Sequence, residues 1–351
     1  MAQPSDPDAM HIRRVAESVH SGISNALAGA SSVALLDFPS HMNVGDSMIW
    51  AGERTALRQL GVRVRYVADI ARYDRVALER AHPEGPILLH GGGNFGDLWP
   101  EFQSFRLRVL ADFPDRDVVQ LPQSILFEDE KMGRTTNDAI RQHGRFTLMC
   151  RDHDSMERAR RFLPQASAVF VPDAAVCWEP ASRAKPGGKP VVLLRRDHEA
   201  QQGMGDVESA CRILFQDAQY VDWGLKGFAK LAWKTIRIPG RLAKKWPSIG
   251  RVAVGRKMLM FSYEAMARLN LRAGRDLFDG ASFIVTDRLH AHVLATLLRV
   301  PHLVVDNSYG KVSAVAGGTT LTATVAEFAG TSEAAVRALH ERPAFPMVSS
   351  Q

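Results

Sequence analysis

The chain has 351 residues, a net charge of +6 and a pI near 9.4, with 46% hydrophobic residues, 23% charged residues, 27 glycines and 18 prolines. That composition excludes a disordered or fibrous chain and suits a soluble globular protein large enough for two cores. Three cysteines, Cys150, Cys177 and Cys211, contain no CxxC pair and leave an odd count, which argues against a disulfide framework and for buried thiols in a reducing compartment.

The first twenty residues, MAQPSDPDAMHIRRVAESVH, carry acids and no apolar h-region, so no signal peptide is expected. No run of about 18 apolar residues occurs, so no membrane-spanning helix is expected and a cytoplasmic location follows by default. Apolar runs then alternate with helical patterns. Strands are expected at Ser32–Phe38, Val62–Val67, Pro86–His90, Val118–Leu121, Phe146–Cys150 and Ala168–Val171, then at Val191–Leu194, Phe283–Val285 and Leu303–Val305. Near-continuous Val/Ile/Leu runs suit parallel strands buried on both faces. Helical patterns at Asp97–Leu110, Asp154–Phe162 and Leu289–Leu298 complete an α/β alternation, which predicts doubly wound, Rossmann-like sheets.

The Pro/Gly/Lys-rich stretch Glu179–Pro190 reads as a linker. It divides the chain into an N-terminal domain over 1–180 and a C-terminal domain over 190–320. Residues 321–351 form a C-terminal helix, roughly Val325–His340, and a tail, expected to pack back onto the first domain.

In open α/β sheets ligands bind beyond the carboxyl ends of the strands, so the informative residues lie just after strands. Asn43-Val44-Gly45-Asp46 and Asn94-Phe95-Gly96-Asp97 each follow a strand and open a helical pattern. In HGGGNFGDLWP at 90–100, Gly91, Gly92 and Gly93 let backbone approach a ligand closely, and a helix starting near Asp97 would offer free N–H groups to an anion. The bland alternative is a tight turn with Asp97 as N-cap. A GxGxxG match is present but stands on about the third strand, away from the first βαβ unit where a dinucleotide fingerprint belongs.

Further on, Arg195 and Arg196 end the VVLL strand and add anion-binding capacity, or form a solvated strand end. In Thr286-Asp287-Arg288-Leu289-His290, Arg288 is placed to clamp a carboxylate or phosphate, and His290 is the residue most easily poised for proton transfer. The alternative is a capping Asp287 with Arg288 and His290 solvated. Zinc at His290 and His292 is disfavoured, since residues two apart on a helix point to opposite sides. Ser308, Tyr309 and Lys311 follow another strand, as ligand contacts or as a polar turn.

Between Trp223 and Tyr263 stand ten basic residues and no acid, so the remainder of the chain is mildly acidic. On a helical wheel six of the cations and Arg237 fall within about 100°, and Leu225, Phe228, Ala232, Ile236, Ala243 and Trp246 gather on another arc. Pro239-Gly240 should break the helix. The profile fits a helix lying on an anionic membrane, and equally an amphipathic helix covering the second domain.

Taken together, NVGD at 43–46, HGGGNFGDLW at 90–99, LPQSI at 121–125, Arg151–Ser155 (RDxxS), VPDAA at 171–175, LRRDHE at 194–199, TDRLH at 286–290 and PHLVVDNSYGK at 301–311 resemble the polysaccharide pyruvyltransferase family. The resemblance implies two Rossmann-like domains in a GT-B-like arrangement. It also implies phosphoenolpyruvate as co-substrate, with no cofactor or metal, and a ketal bridging two hydroxyls of a sugar in an exopolysaccharide or its lipid-linked precursor. It points to His290 as general acid and Asp97 as general base. Arg288, Arg195 or Arg196, Gly92, Gly93, Asn94, Asp46, Asn43, Ser124, Leu289, Ser308 and Lys311 are then expected to bind substrate. The alternative is a GT-B sugar-nucleotide glycosyltransferase; a nicotinamide oxidoreductase and a GxSxG hydrolase fit less well. The expected partners are phosphoenolpyruvate, a saccharide and an anionic inner-membrane surface contacted through 223–263, with no nucleic acid.

Overall fold

The computed structural model describes residues 6–180, 187–196 and 200–342. The middle of the expected linker (181–186), Asp197, His198 and Glu199 of the LRRDHE run, and the tail from 343 lie outside the described residues.

The described chain forms two compact units, each with its own parallel sheet. The first unit comprises Val15–Trp178 and Leu225–Leu271. Its sheet contains β1 (Ser32–Leu36), β2 (Arg63–Ala68), β3 (Ile87–Leu89), β4 (Gly92–Gly96), β5 (Val118–Leu126), β6 (Phe146–Cys150) and β7 (Ser167–Phe170). The order is β2-β1-β3-β5-β6-β7, with β4 pairing the far end of β5. The second unit holds β8 (Val191–Leu193), β9 (Gln219–Tyr220), β10 (Ile284–Thr286), β11 (His302–Val305) and β12 (Ala326–Ala329), in the order β12-β11-β10-β8-β9. In both sheets the chain moves outward to one side, returns, and continues on the other. The reversal places a switch point between β1 and β3 in the first sheet, and between β8 and β10 in the second.

The expected strands form because their apolar runs are buried on both faces: β3 and β10 are buried throughout, and β1 at all but its first residue. β5 extends through Pro122, which is tolerated at a register shift between Gln120 and Gln123 where a ladder hydrogen bond is already lost. The glycine-rich segment departs from expectation. It is a strand, and the next helix starts only at Pro100, with Trp99 as an N-cap that makes no side-chain bond. No helix therefore begins at Asp97.

Glycine at 96 is required by the strand it lies in. Gly96 has φ +122°, and a Cβ there would stand 1.6 Å from the Leu126 carbonyl oxygen. Gly96→Ala combines backbone strain with a clash against an adjacent strand, so a loss of about 3 kcal/mol or more is expected in the urea midpoint. An unchanged midpoint would contradict this strand pairing.

Residues 225–271 belong with the first unit, not with the second as expected. Arg72 Nε donates to the Gly240 carbonyl at 2.9 Å, Arg54 pairs with Glu264 at 2.9 Å and Arg251 with Asp74 at 2.9 Å. Tyr263 also lies against Phe38, ring centroids 4.5 Å apart. The C-terminal helix (Ser332–Glu341) likewise differs from expectation. Its Ala335 and Leu339 enter the second unit's core beside Val207, Cys211 and Phe283.

Candidate active site

The first unit's switch point carries a buried polar cluster. After β1, Asp37 takes a left-handed φ of +66°, a conformation Asp tolerates better than most residues. It is 2% exposed, and Oδ2 has no hydrogen-bond partner among the described residues. Burial pushes its carboxyl up to about 6, against the pull of the nearby Arg106 guanidinium. Arg106 Nη2 lies 3.8 Å from Asp37 Oδ2. The same guanidinium donates to Gln120 Oε1 at 2.7 Å, to the Asn94 carbonyl at 3.1 Å and to Asn94 Oδ1, and it covers the Phe95 ring. Asn94 Oδ1 also accepts from Gln123 Nε2 at 2.8 Å. The Asn94 side chain, expected to meet substrate, is thus committed to holding β4 beside β5.

At the end of β3, His90 Nδ1 bonds Glu53 Oε2 at 2.7 Å, and Gly91 N–H donates to Glu53 Oε1 at 2.8 Å. Burial lowers the His90 pKa, but the Glu53 carboxylate outweighs it and the net shift is upward. Gly91 has its own steric reason, since a Cβ would lie 2.4 Å from the Pro122 carbonyl. Gly92, at φ +130°, is buried and Gly93 is exposed. Of the glycines expected to make room for a ligand, Gly91 therefore first makes room for β5.

Above β1, Asn43 caps the helix Val44–Gln59 by accepting from Gly45 N–H at 2.8 Å. Asp46, in that helix's first turn, bonds the exposed His41 at 2.6 Å. Burial lowers the His41 pKa; the hydrogen bond and charge of Asp46 more than offset this and raise it. The His41 carbonyl is held by Asn270 Nδ2 at 3.0 Å, so the 225–271 segment helps position this loop. His41, Asp37 and Glu53 were missed in the sequence. A usable signal was present for Glu53: with Asp46 it stands seven residues apart on one face of a helix that is otherwise largely buried.

Two expected residues lie elsewhere in this unit. Asp97 follows β4, and its Oδ2 accepts the N–H groups of Glu128 at 2.8 Å and Asp129 at 2.5 Å, so this carboxylate fastens a loop. Ser124 donates to Asp152 Oδ2 at 2.6 Å and accepts from Arg151 Nε at 2.9 Å. Arg151 also pairs with the buried Asp173 at 2.6 Å, and Asp152 caps the helix His153–Phe162. The LPQSI, RDxxS and VPDAA motifs thereby meet as one bonded network across the ends of β5 and β6.

In the second unit, Asp287 ties the two strands flanking the switch point. It is buried, and its Oδ1 accepts from Arg195 N–H at 2.8 Å. Burial raises its carboxyl to about 6, against that hydrogen bond and the nearby arginines. Asp287 does not cap the next helix; Arg288 occupies the N-cap position of Leu289–Leu298. Arg288 Nη2 lies 3.2 Å from Asp222, His290 is half-buried in the first turn, and the Leu289 side chain is buried. Arg196 extends to the surface, 81% exposed, 3.8 Å from Glu208, whereas Arg195 is half-buried. Arg195, Arg288 and His290 are therefore brought to adjacent strand ends, and Arg196 is directed away. Ser308 is exposed and Lys311 half-buried, on a turn in which Asp306 Oδ1 accepts the N–H groups of Asn307 and Val312 and Asn307 Oδ1 accepts that of Lys311.

His292 faces the core. Its Nδ1 meets His302 Nε2 at 2.7 Å and its Nε2 meets Thr320 Oγ1 at 2.8 Å, while His302 Nδ1 donates to the Val300 carbonyl. The chain of bonds is satisfied with both rings neutral. Burial drives both pKa values down, His302 to about 4 and His292 well below its ordinary value. Groups depressed in this way stabilise the fold above pH about 6.5 and lose that contribution as pH falls toward about 4, near 1.4 kcal/mol per pH unit each. Thermal melts between pH 7 and 4.5 should show this slope, and His302→Gln should flatten it by about one proton; an equal slope in the variant would contradict it.

Two parallel doubly wound sheets, each with ionisable groups at its switch point, define an α/β protein with the site layout of an enzyme. The sequence comparisons narrow this class. The family model for polysaccharide pyruvyl transferase matches residues 43–309. The chain is 30% identical to Pyruvyl transferase 1 of Schizosaccharomyces pombe, over 82% of this chain and 69% of that protein. It is 27% identical to a Bacillus subtilis protein named as a pyruvyl transferase, EpsO, over 83% and 86% respectively. A crystal structure of an uncharacterised Klebsiella pneumoniae protein shares the fold, with a TM-score of 0.57 and 16% identity over 89% of this chain and 97% of that one. The chain belongs to the polysaccharide pyruvyl transferase family, and the sugar-nucleotide glycosyltransferase alternative is not favoured. No helix of the described residues is long and apolar enough to cross a membrane.

Proposed function

We propose that this protein transfers pyruvate from phosphoenolpyruvate to two hydroxyls of one sugar in a cell-surface polysaccharide or its lipid-linked precursor, closing a ketal. The observation that carries the reading is the second switch point, where Asp287 fastens β8 to β10 and Arg195, Arg288 and His290 emerge from adjacent ends. Phosphoenolpyruvate is a multiply charged anion, and paired arginines suit its carboxylate and phosphate. In this reading His290, as imidazolium, protonates the terminal CH₂ carbon and leaves the central carbon electrophilic. A sugar hydroxyl attacks that carbon and gives up its proton. A second hydroxyl then forms the other C–O bond as the bond to phosphate breaks, and its proton leaves with the phosphate.

Within the first unit, taken by itself, the His41–Asp46 pair is a better candidate for a proton acceptor than Asp97. Asp97 already accepts two backbone N–H groups, whereas His41 is exposed at a switch point and oriented by a carboxylate. The decisive assay is phosphate release from phosphoenolpyruvate across a panel of aryl galactosides, glucosides and mannosamines. Release with at least one acceptor is expected. Absence of release throughout, with calorimetric binding of a uridine or guanosine diphosphate, would overturn the reading.

A further inference from the structure

The basic segment carries two distinct apolar strips. One faces inward: Trp233, Ala243, Leu259, Tyr263 and Met266 are buried in the first unit. The other faces out. On the helices Gly227–Ile236 and Ile238–Lys245, Phe228 (83% exposed) and Leu231 (60%) share a face at i, i+3, and Ile238 and Leu242 continue the exposed series at i, i+4. On the helix Ala253–Phe278, Val254 (80%), Met258 and Phe261 (73%) share a face at i, i+4, i+7. Ser262 Oγ donates to the Ile236 carbonyl at 2.6 Å, which sets Phe261's turn against the junction of the first two helices.

Lys226, Lys230, Lys234, Arg241, Lys244 and Lys245 are all exposed along the same two helices. The folded first unit withdraws two of the other cations: Arg251 is paired with Asp74, and Arg237 is half-buried over the Trp233 ring. The outward cations have no acid within the segment to answer them.

Isolated exposed apolar side chains need no explanation, but aromatic and aliphatic strips at helical spacing beside a row of lysines do. We propose that this face docks on an anionic phospholipid bilayer. Phe228, Leu231, Val254 and Phe261 enter the interfacial layer, and the flanking lysines meet lipid phosphates. Charge complementarity selects this occupant. A second copy would bring the same cations face to face, and a nucleic-acid duplex, with its bases stacked inside, would leave the exposed phenylalanines without an apolar partner. The inference does not depend on the reaction proposed above.

The test is co-sedimentation of the full chain with vesicles of phosphatidylcholine alone and of a two-to-one phosphatidylcholine–phosphatidylglycerol mixture, at physiological salt. Partitioning to the mixed vesicles should exceed that to neutral ones at least tenfold and should fall as salt is raised. Lys230→Gln/Lys234→Gln/Lys244→Gln should lose about a hundredfold in partitioning, since each cation contributes about fivefold near such a surface. Phe228→Ser/Phe261→Ser should lose tenfold or more while thermal midpoint and soluble-substrate turnover stay unchanged. Equal partitioning to both vesicle types would overturn the proposal. So would full retention by the phenylalanine variant, binding to duplex DNA in place of vesicles, or a stable dimer abolished by the same two substitutions.

Discussion

Replacing His290 with Gln is expected to lower phosphate release from phosphoenolpyruvate by about 10²–10⁴-fold, the usual contribution of a positioned general acid. The loss should fall on kcat more than on KM, because the imidazolium acts on carbon in the transition state and the arginines hold the ground-state anion. Arg288→Lys keeps the charge but loses the planar fork, so its main effect should be a raised KM for phosphoenolpyruvate. Asp97→Asn separates two readings of the first unit. If Asp97 fastens the 128–129 loop, as its two accepted N–H groups indicate, the variant loses stability and keeps most of its turnover. His41→Gln should then show the larger loss of rate. Measured kcat and KM for the four variants, beside their melting temperatures, decide the matter, and a fully active His290→Gln enzyme would remove the acid assignment.

What the sequence revealed followed from local pattern. Apolar runs such as VVLL and FTLMC marked buried strands because parallel strands carry their signal within a few residues. GGNFG carried none, since its strand exists through φ values only glycine reaches easily and through the carbonyls of β5. Gln219–Tyr220 is too short to leave a pattern. The wheel over 223–263 separated cations from apolar residues, but spacing could not tell that Ala243 and Trp233 turn inward while Phe228 and Leu231 face outward. Nor could it show which sheet the segment covers, a matter of contacts such as Arg72 with Gly240 and Arg54 with Glu264 across long stretches of chain. The motifs located both switch points. Their roles divided according to partners distant in sequence: Asn94 is taken by Arg106, Ser124 by Arg151 and Asp152, and His90 by Glu53. Asp37 carries no motif, and only burial beside Arg106 makes its carboxyl unusual.

Arg106→Met should cost about 3–5 kcal/mol, the penalty of removing one partner from a buried charged network. The unbranched apolar side chain ends where the guanidinium begins, so it gives up the contact over Phe95, leaves the Asn94 carbonyl and Gln120 Oε1 without this donor and Asn94 Oδ1 with Gln123 alone, and strips Asp37 of its cation. Asp37→Asn should act in the opposite direction. Asn also tolerates a φ of +66°, so the backbone does not oppose the change. Because the Asp37 carboxyl is raised to about 6, its protonated form is the one the fold favours. The associated stability is complete below about pH 4 and is lost as pH rises through about 6, a loss of at most about 3 kcal/mol. Asp37→Asn should therefore match the parent at pH 4 and exceed it at pH 7.5, whereas Asp37→Val, which cannot adopt the left-handed conformation cheaply, should be destabilised at both. In the double variant Arg106→Met/Asp37→Asn the two changes should not add, since removing the carboxylate relieves the charge stranded by loss of the arginine. A coupling above about 1 kcal/mol in urea denaturation at pH 7.5, shrinking toward pH 4, is expected. Strict additivity at both pH values would show that the 3.8 Å pair contributes nothing to the fold. If Asp37→Asn is more stable yet slower in phosphate release, the ionised carboxylate at the end of β1 is retained for the reaction at a cost in stability.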